Sequence, residues 1–171
     1  MNADRFRHLF SYHFMENRSI WDNYIIPLSR EQFVADADYS HGSVRDQIVH
    51  LMSVDDTWFC GLRGEEIPAP LAPGHFADRQ AIRARWDEIE RRMGEYLAEL
   101  EDELVGARPF PPGEDEALIV WQVLFQVLNH GTDHRAQILR LLNDLGVRTT
   151  SQDYIFFAYD QPLPATGADN G

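Results

Sequence analysis

Four stretches of this 171-residue chain repeat their apolar residues at helical spacing, and none alternates apolar with polar residues as a half-buried strand would. A sheet is therefore not expected, and the fold class is all-α. The first stretch runs from about Ala3 to Ile26, with Phe6, Phe10, Phe14, Trp21 and Ile25 among its apolar positions, and stops at Pro27. The second opens at Gly42-Ser43-Val44-Arg45-Asp46, where Ser43 is an N-cap and Asp46 stands in the place of a capping-box acid, and it ends at Gly64. The third spans about Asp78 to Leu104 and the fourth about Glu116 to Leu145, with Gly146 just beyond its end. Four long helices with one apolar face each most simply make a four-helix bundle. Connections of a dozen or so residues at 27–42, 64–77 and 105–115 are long enough for crossovers, so the winding stays open. Tyr154-Ile155-Phe156-Phe157 reads as a short docking helix. We expect one domain over residues 1–160 and a disordered tail over 161–171.

Composition limits the chemistry. A single domain of this length buries roughly 70% of its unfolded surface and needs neither metal nor disulfide to hold its core. The one cysteine, Cys60, forms no internal disulfide, and the first residues do not look like a signal peptide, so a cytoplasmic location is expected. No run approaches the ~18 apolar residues of a membrane span. A net charge of −13 disfavours nucleic acid and anionic membranes as partners, because both need clustered positive charge. All basic residues are arginine, and without lysine neither Schiff-base chemistry nor a P-loop is available. A small-molecule substrate is the expected partner.

The residues that invite chemistry are histidines. Within Asn129-His130-Gly131-Thr132-Asp133-His134-Arg135-Ala136-Gln137, His130 and His134 lie one helical turn apart at the margin of the fourth helix's apolar arc. His50 occupies a similar margin of the second helix. Three neutral imidazoles from two helices suit a divalent transition metal with coordination positions left open, although an i,i+4 pair also arises at core edges without a ligand. His8 and His13 point about 140° apart on one helix, His41 sits in a loop beside Gly42 where it can assist the turn, and His75 lies in a Pro/Gly-rich connection. Each of these reads as structural or solvated. Asp55 falls inside the second helix's apolar arc, where a carboxylate is costly unless paired. It is either a buried ion-pair partner of an arginine such as Arg135, or an acceptor or general base behind a metal. Cys60 faces away from His50 and reads as a packed residue. The acidic run Glu99-Leu100-Glu101-Asp102-Glu103 closes the third helix as a solvated face that frays against the macrodipole.

The Asn129-to-Gln137 run resembles the signature of the DinB family, the DinB/YfiT-like metalloenzymes. Gly42-Ser43-Val44-Arg45-Asp46-Gln47-Ile48-Val49-His50-Leu51 is similar to that family's segment bearing the first histidine. Asn17-Arg18-x-x-Trp21-Asp22, Trp58, and Leu145-Gly146 followed by Asp153-Tyr154 extend the resemblance over roughly residues 5–160. Ala136 replaces a glycine common in the motif, a change that favours the helix. The resemblance implies a four-helix bundle wound up-down-down-up, often dimeric, and a divalent metal (Zn, Ni, Mn or Fe) held by His50, His130 and His134. It also implies thiol S-transferase activity with a low-molecular-weight thiol such as bacillithiol or mycothiol. Metal-dependent hydrolysis and non-catalytic metal or ligand binding in a stress response are the alternatives.

Overall fold

The computed structural model describes residues 2–163, and among these there are helices and turns but no strand. Residues 164–171, most of the expected tail, lie outside the described residues. Six α-helices are present: α1 (Ala3–Ile20), α2 (Arg30–Phe33), α3 (Val44–Leu62), α4 (Arg79–Glu99), α5 (Val120–Asp144) and α6 (Tyr154–Asp160). The fold is all-helical, as the apolar spacing predicts. Four of the six are long, and they touch in the order α1, α5, α3, α4 and back to α1. One core runs between them, built from Phe6 and Phe10, Ile48, Leu51 and Met52, Trp86, Ile89 and Met93, and Leu124, Val127 and Ile138. No helix among the described residues is long and apolar enough to cross a membrane.

The helix starts follow local chemistry. The Asn2 side chain accepts from Arg5 N, and Asp78 accepts from Ala81 N at 2.8 Å. At α3, Ser43 Oγ accepts from Asp46 N while Asp46 Oδ2 accepts from Ser43 N, which is the expected capping box. The end of α5 is a Schellman motif. Val147 N donates to Leu142 O and Gly146 N to Asn143 O, with Gly146 at φ 78°, a conformation that excludes most side chains.

Three boundaries differ from expectation, and at two of them a partner outside the helix intervenes. The first helix widens into a π-helical turn over Trp21–Ile25 before Pro27. The third stops at Glu99 rather than Leu104. Leu100 turns extended, and Arg7 Nη1 from α1 donates to Leu97 O (2.8 Å) and Leu100 O (2.9 Å), satisfying carbonyls at the helix end. The acidic run beyond it does not fray. It forms a 3-10 turn, Asp102–Gly106, from which Asp102 Oδ1 accepts from Ala3 N at 2.8 Å, so the carboxylate sits at the positive end of α1. The fourth long helix begins at Val120, not Glu116, because Glu114, Asp115 and Glu116 are exposed and Val120 N is held by Ala107 O. The short apolar patch after Gly146 does form a helix. Phe157 of α6 packs on Tyr12 of α1 with ring centroids 5.7 Å apart, and Tyr154 Oη lies 3.0 Å from His8 Nε2.

Candidate metal centre

The packing of α3 on α5 brings His50 against His130 and His134. His130 and His134 share a face of α5, with ring centroids 4.2 Å apart. His50 lies 5.2 Å from His130 and 4.6 Å from His134 by the same measure. The three rings are inclined to one another by 50–58°, so none stacks on another. His50 Nε2 and His130 Nε2 stand 3.2 Å apart. Two imidazole nitrogens bound to one tetrahedral zinc at about 2.0–2.1 Å are separated by roughly 3.3 Å, so this spacing fits a shared ion.

A fourth imidazole joins them. The loop before α3 turns at Ser40, whose φ is 50°, and Ser40 Oγ donates to Gln137 Oε1 on α5. Gln137 is itself held by Asp133, to whose Oδ2 its Nε2 donates at 2.9 Å. His41 is thereby laid on His50, rings stacked at 3.6 Å and inclined by only 16°. One nitrogen from each of His41, His50 and His134 lies within 4.8 Å of the others, a three-histidine cluster that can hold a metal ion. The sequence reading of His41 as a turn-assisting or solvated residue is therefore corrected. Helical periodicity carries no information about a loop residue, and only the fold of residues 34–43 back toward α5 brings His41 to this place.

Distance and orientation do not agree about His41. An imidazole binds a metal in the plane of its own ring, and the His41 and His50 planes are inclined by only 16°, with ring centroids 3.6 Å apart. Joint binding of one ion would require His41 to turn out of its stack on His50. His130 stands outside the set of His41, His50 and His134, although its Nε2 lies 3.2 Å from His50 Nε2. His41 is the exposed member of the four, His50 and His130 are half-buried, and His134 is 6% exposed, so the cluster opens toward His41.

Burial keeps the imidazoles neutral. It pulls His50 down to about 4, helped by His41 and His134, and His130 down to about 3, helped by His134, His50, His13 and His41. His134 is also lowered, first by burial and then by His41, against the pull of Asp133 and Asp55. A neutral ring offers one lone pair, as a ligand must. His134 Nδ1 meets Gln47 Oε1 at 3.1 Å, and Gln47 is fully buried. His130 Nδ1 is buried without a hydrogen-bond partner.

Behind the cluster lies a separate polar layer. His13 on α1 is fully buried against Gly131, which follows His130 in α5. Arg135, 1% exposed, donates from Nη1 to His13 Nδ1 (3.0 Å) and Asn17 Oδ1 (3.1 Å), and from Nε to Gln152 Oε1 (2.9 Å). Asp55 is fully buried, and its acid–base neighbour is His13 Nε2 at 3.5 Å. Its carboxylate reaches neither Arg135 as an ion pair nor an imidazole of the metal cluster through a hydrogen bond among the described residues. The adjacent Asp56 makes the arginine pair instead, with Arg85 Nη2 at 2.6 Å. Burial pushes His13 down although Asp55 opposes this. Cys60 is buried on the α4 side, its Sγ 3.7 Å from Asp56 Oδ1, and is no part of the cluster. His75 remains in an exposed 3-10 turn. A groove of about 470 Å³ lined by Thr57, Trp58, Gly61, Ile67 and Phe110 lies farther along α3, with no histidine among its lining residues.

The family model described as DinB family matches residues 1–167 of the chain. A search of curated proteins finds no match.

Proposed function

The chain belongs to the DinB family, and from that premise we propose that it is a divalent-metal protein whose ion is held by His50, His130 and His134. The observation that carries the reading is the close approach of these three rings, with two Nε2 atoms at ligand–ligand spacing. The ring of contacts among the four long helices supports the four-helix bundle that the family resemblance implies.

We further propose that the site ionises a small thiol for transfer to an electrophile. An ion bound there supplies a Lewis acid that makes a thiol or water ionise near neutral pH. The chain's own residues prepare that chemistry. Burial holds His50 and His130 unprotonated, and Gln47 contacts His134 from behind. His41, exposed at the mouth and stacked on His50, is placed where an entering molecule would meet it. No cysteine of the chain lies in the cluster, so the thiol would come from solution.

Metal binding is tested by titrating metal-free protein with zinc. Wild type should take up one ion per chain, His134→Ala should lose it, and His41→Ala should keep it. A His134→Ala variant that binds like wild type overturns the site. Retention in His130→Ala with loss in His41→Ala replaces the ligand set by His41, His50 and His134. For the reaction, zinc-loaded protein should conjugate a low-molecular-weight thiol to monochlorobimane faster than His134→Ala does. Turnover of esters without thiol would mark a hydrolase instead, and loaded protein inactive in both assays would leave a binding protein.

A further inference from the structure

We propose that Gln47 is a positioning residue, which holds His134 in the tautomer able to accept a metal. The inference rests on the reading of His134 as a ligand. A neutral imidazole carries its proton on one nitrogen and its lone pair on the other, and only the lone-pair nitrogen binds an ion. Gln47 Oε1 lies 3.1 Å from His134 Nδ1 and has no proton to give. That contact exists only with the proton on Nδ1, which leaves Nε2 bare as the ligand atom.

The surroundings make the contact decisive. Gln47 is fully buried and His134 is 6% exposed, so water does not compete for Nδ1 as it would at a surface. A buried amide costs about 1–3 kcal/mol when it is left unpaired. Gln47 stands on α3 beside Ile48 and Leu51, where an apolar side chain of the same length would pack without that cost. Among the described residues its Nε2 has no partner, so the bond to His134 is the return the amide gives there. The opposite amide orientation would have the reverse effect. An N–H aimed at Nδ1 would force the proton onto Nε2 and remove the ligand atom, so the direction of this single hydrogen bond sets whether the site is competent. Gln47 lies three residues before His50 on α3, so one helix supplies a ligand and orients a ligand of its neighbour.

The test uses the full chain. In a long-range ¹H–¹⁵N spectrum of metal-free wild type, His134, assigned by its loss in His134→Ala, should show the Nδ1–H form. In Gln47→Met, nearly the same shape but without an acceptor, that preference should disappear and zinc affinity should fall ~10–100-fold, the usual effect of removing such a partner. Gln47→Glu, whose carboxylate can only accept, should return affinity to within about threefold of wild type. A wild-type His134 in the Nε2–H form overturns the proposal, and that result stands even if Gln47→Met fails to fold. So does a folded Gln47→Met that binds zinc as tightly as wild type. A wild type that takes up no zinc overturns instead the reading of the site on which this one rests.

Discussion

Replacing Gly131 with alanine should destabilise the protein, although helix propensity alone predicts the opposite. Gly131 lies inside α5, where alanine is favoured over glycine by about 1 kcal/mol. An added Cβ would stand 2.4 Å from His13 Cε1, 2.7 Å from His13 Nδ1 and 3.0 Å from Arg135 Nη1. Neither side chain has room to yield, since His13 is fully buried and Arg135 is 1% exposed. Overpacking of this kind costs about 1–3 kcal/mol. Displacing His13 also breaks its hydrogen bond from the Arg135 guanidinium, about 1.5–3 kcal/mol for a charged donor. Set against the propensity gain, the net loss is about 1.5–5 kcal/mol, or roughly 3–20 °C in Tm for a chain of this size. Urea unfolding of metal-free Gly131→Ala gives the stability directly, and a cycle with His13→Ala isolates the cause. In the His13→Ala background the two closest contacts are gone and only the 3.0 Å approach to Arg135 Nη1 remains, so Gly131→Ala should cost much less, a coupling of at least about 1.5 kcal/mol. A Gly131→Ala protein as stable as wild type, or one losing equal stability in both backgrounds, would refute the steric argument.

Two further outcomes follow from the same geometry. The metal-free protein should lose stability on acidification. His50 at about 4 and His130 at about 3 sit below the ordinary value near 6.5 that they regain on unfolding, so the unfolded chain takes up protons first. Their contribution is intact above about pH 6.5 and is lost as pH falls toward the folded values. Urea midpoints at about pH 7 and about pH 5 should show the drop, and His130→Gln should shrink it. A wild type with equal midpoints at both would contradict the assigned burial. Ser43→Ala removes the acceptor for Asp46 N at the start of α3 and should cost about 1 kcal/mol in the same assay, with no change meaning that the cap is dispensable.

The ordered part of this architecture was legible in the chain because its causes are local. Apolar spacing, Pro27, the Ser43–Asp46 box and the Gly146 stop are each read within a turn or two, and the corresponding helices form. The DinB resemblance was also legible, and the family match bears it out. The end of α4 moved because a residue 90 or more positions away governs it. Arg7 ends α4 and Asp102 caps α1 through contacts that no sequence window contains. Asp55 illustrates the same limit. Its burial could be read from its place in the apolar arc, but its neighbour is His13 from another helix, while Asp56 next to it takes the arginine.

The sequence by itself determined that two histidines share one helix face and that a third occupies a similar margin of another helix, because a helix converts spacing into direction. Only the tertiary structure decided that α3 and α5 pack so that these rings converge. It alone placed His41 over His50 and Gln47 behind His134, and put His13 against the bare backbone of Gly131. Those contacts join segments far apart in the chain, and their distances are set by how whole helices pack rather than by any residue's own propensity.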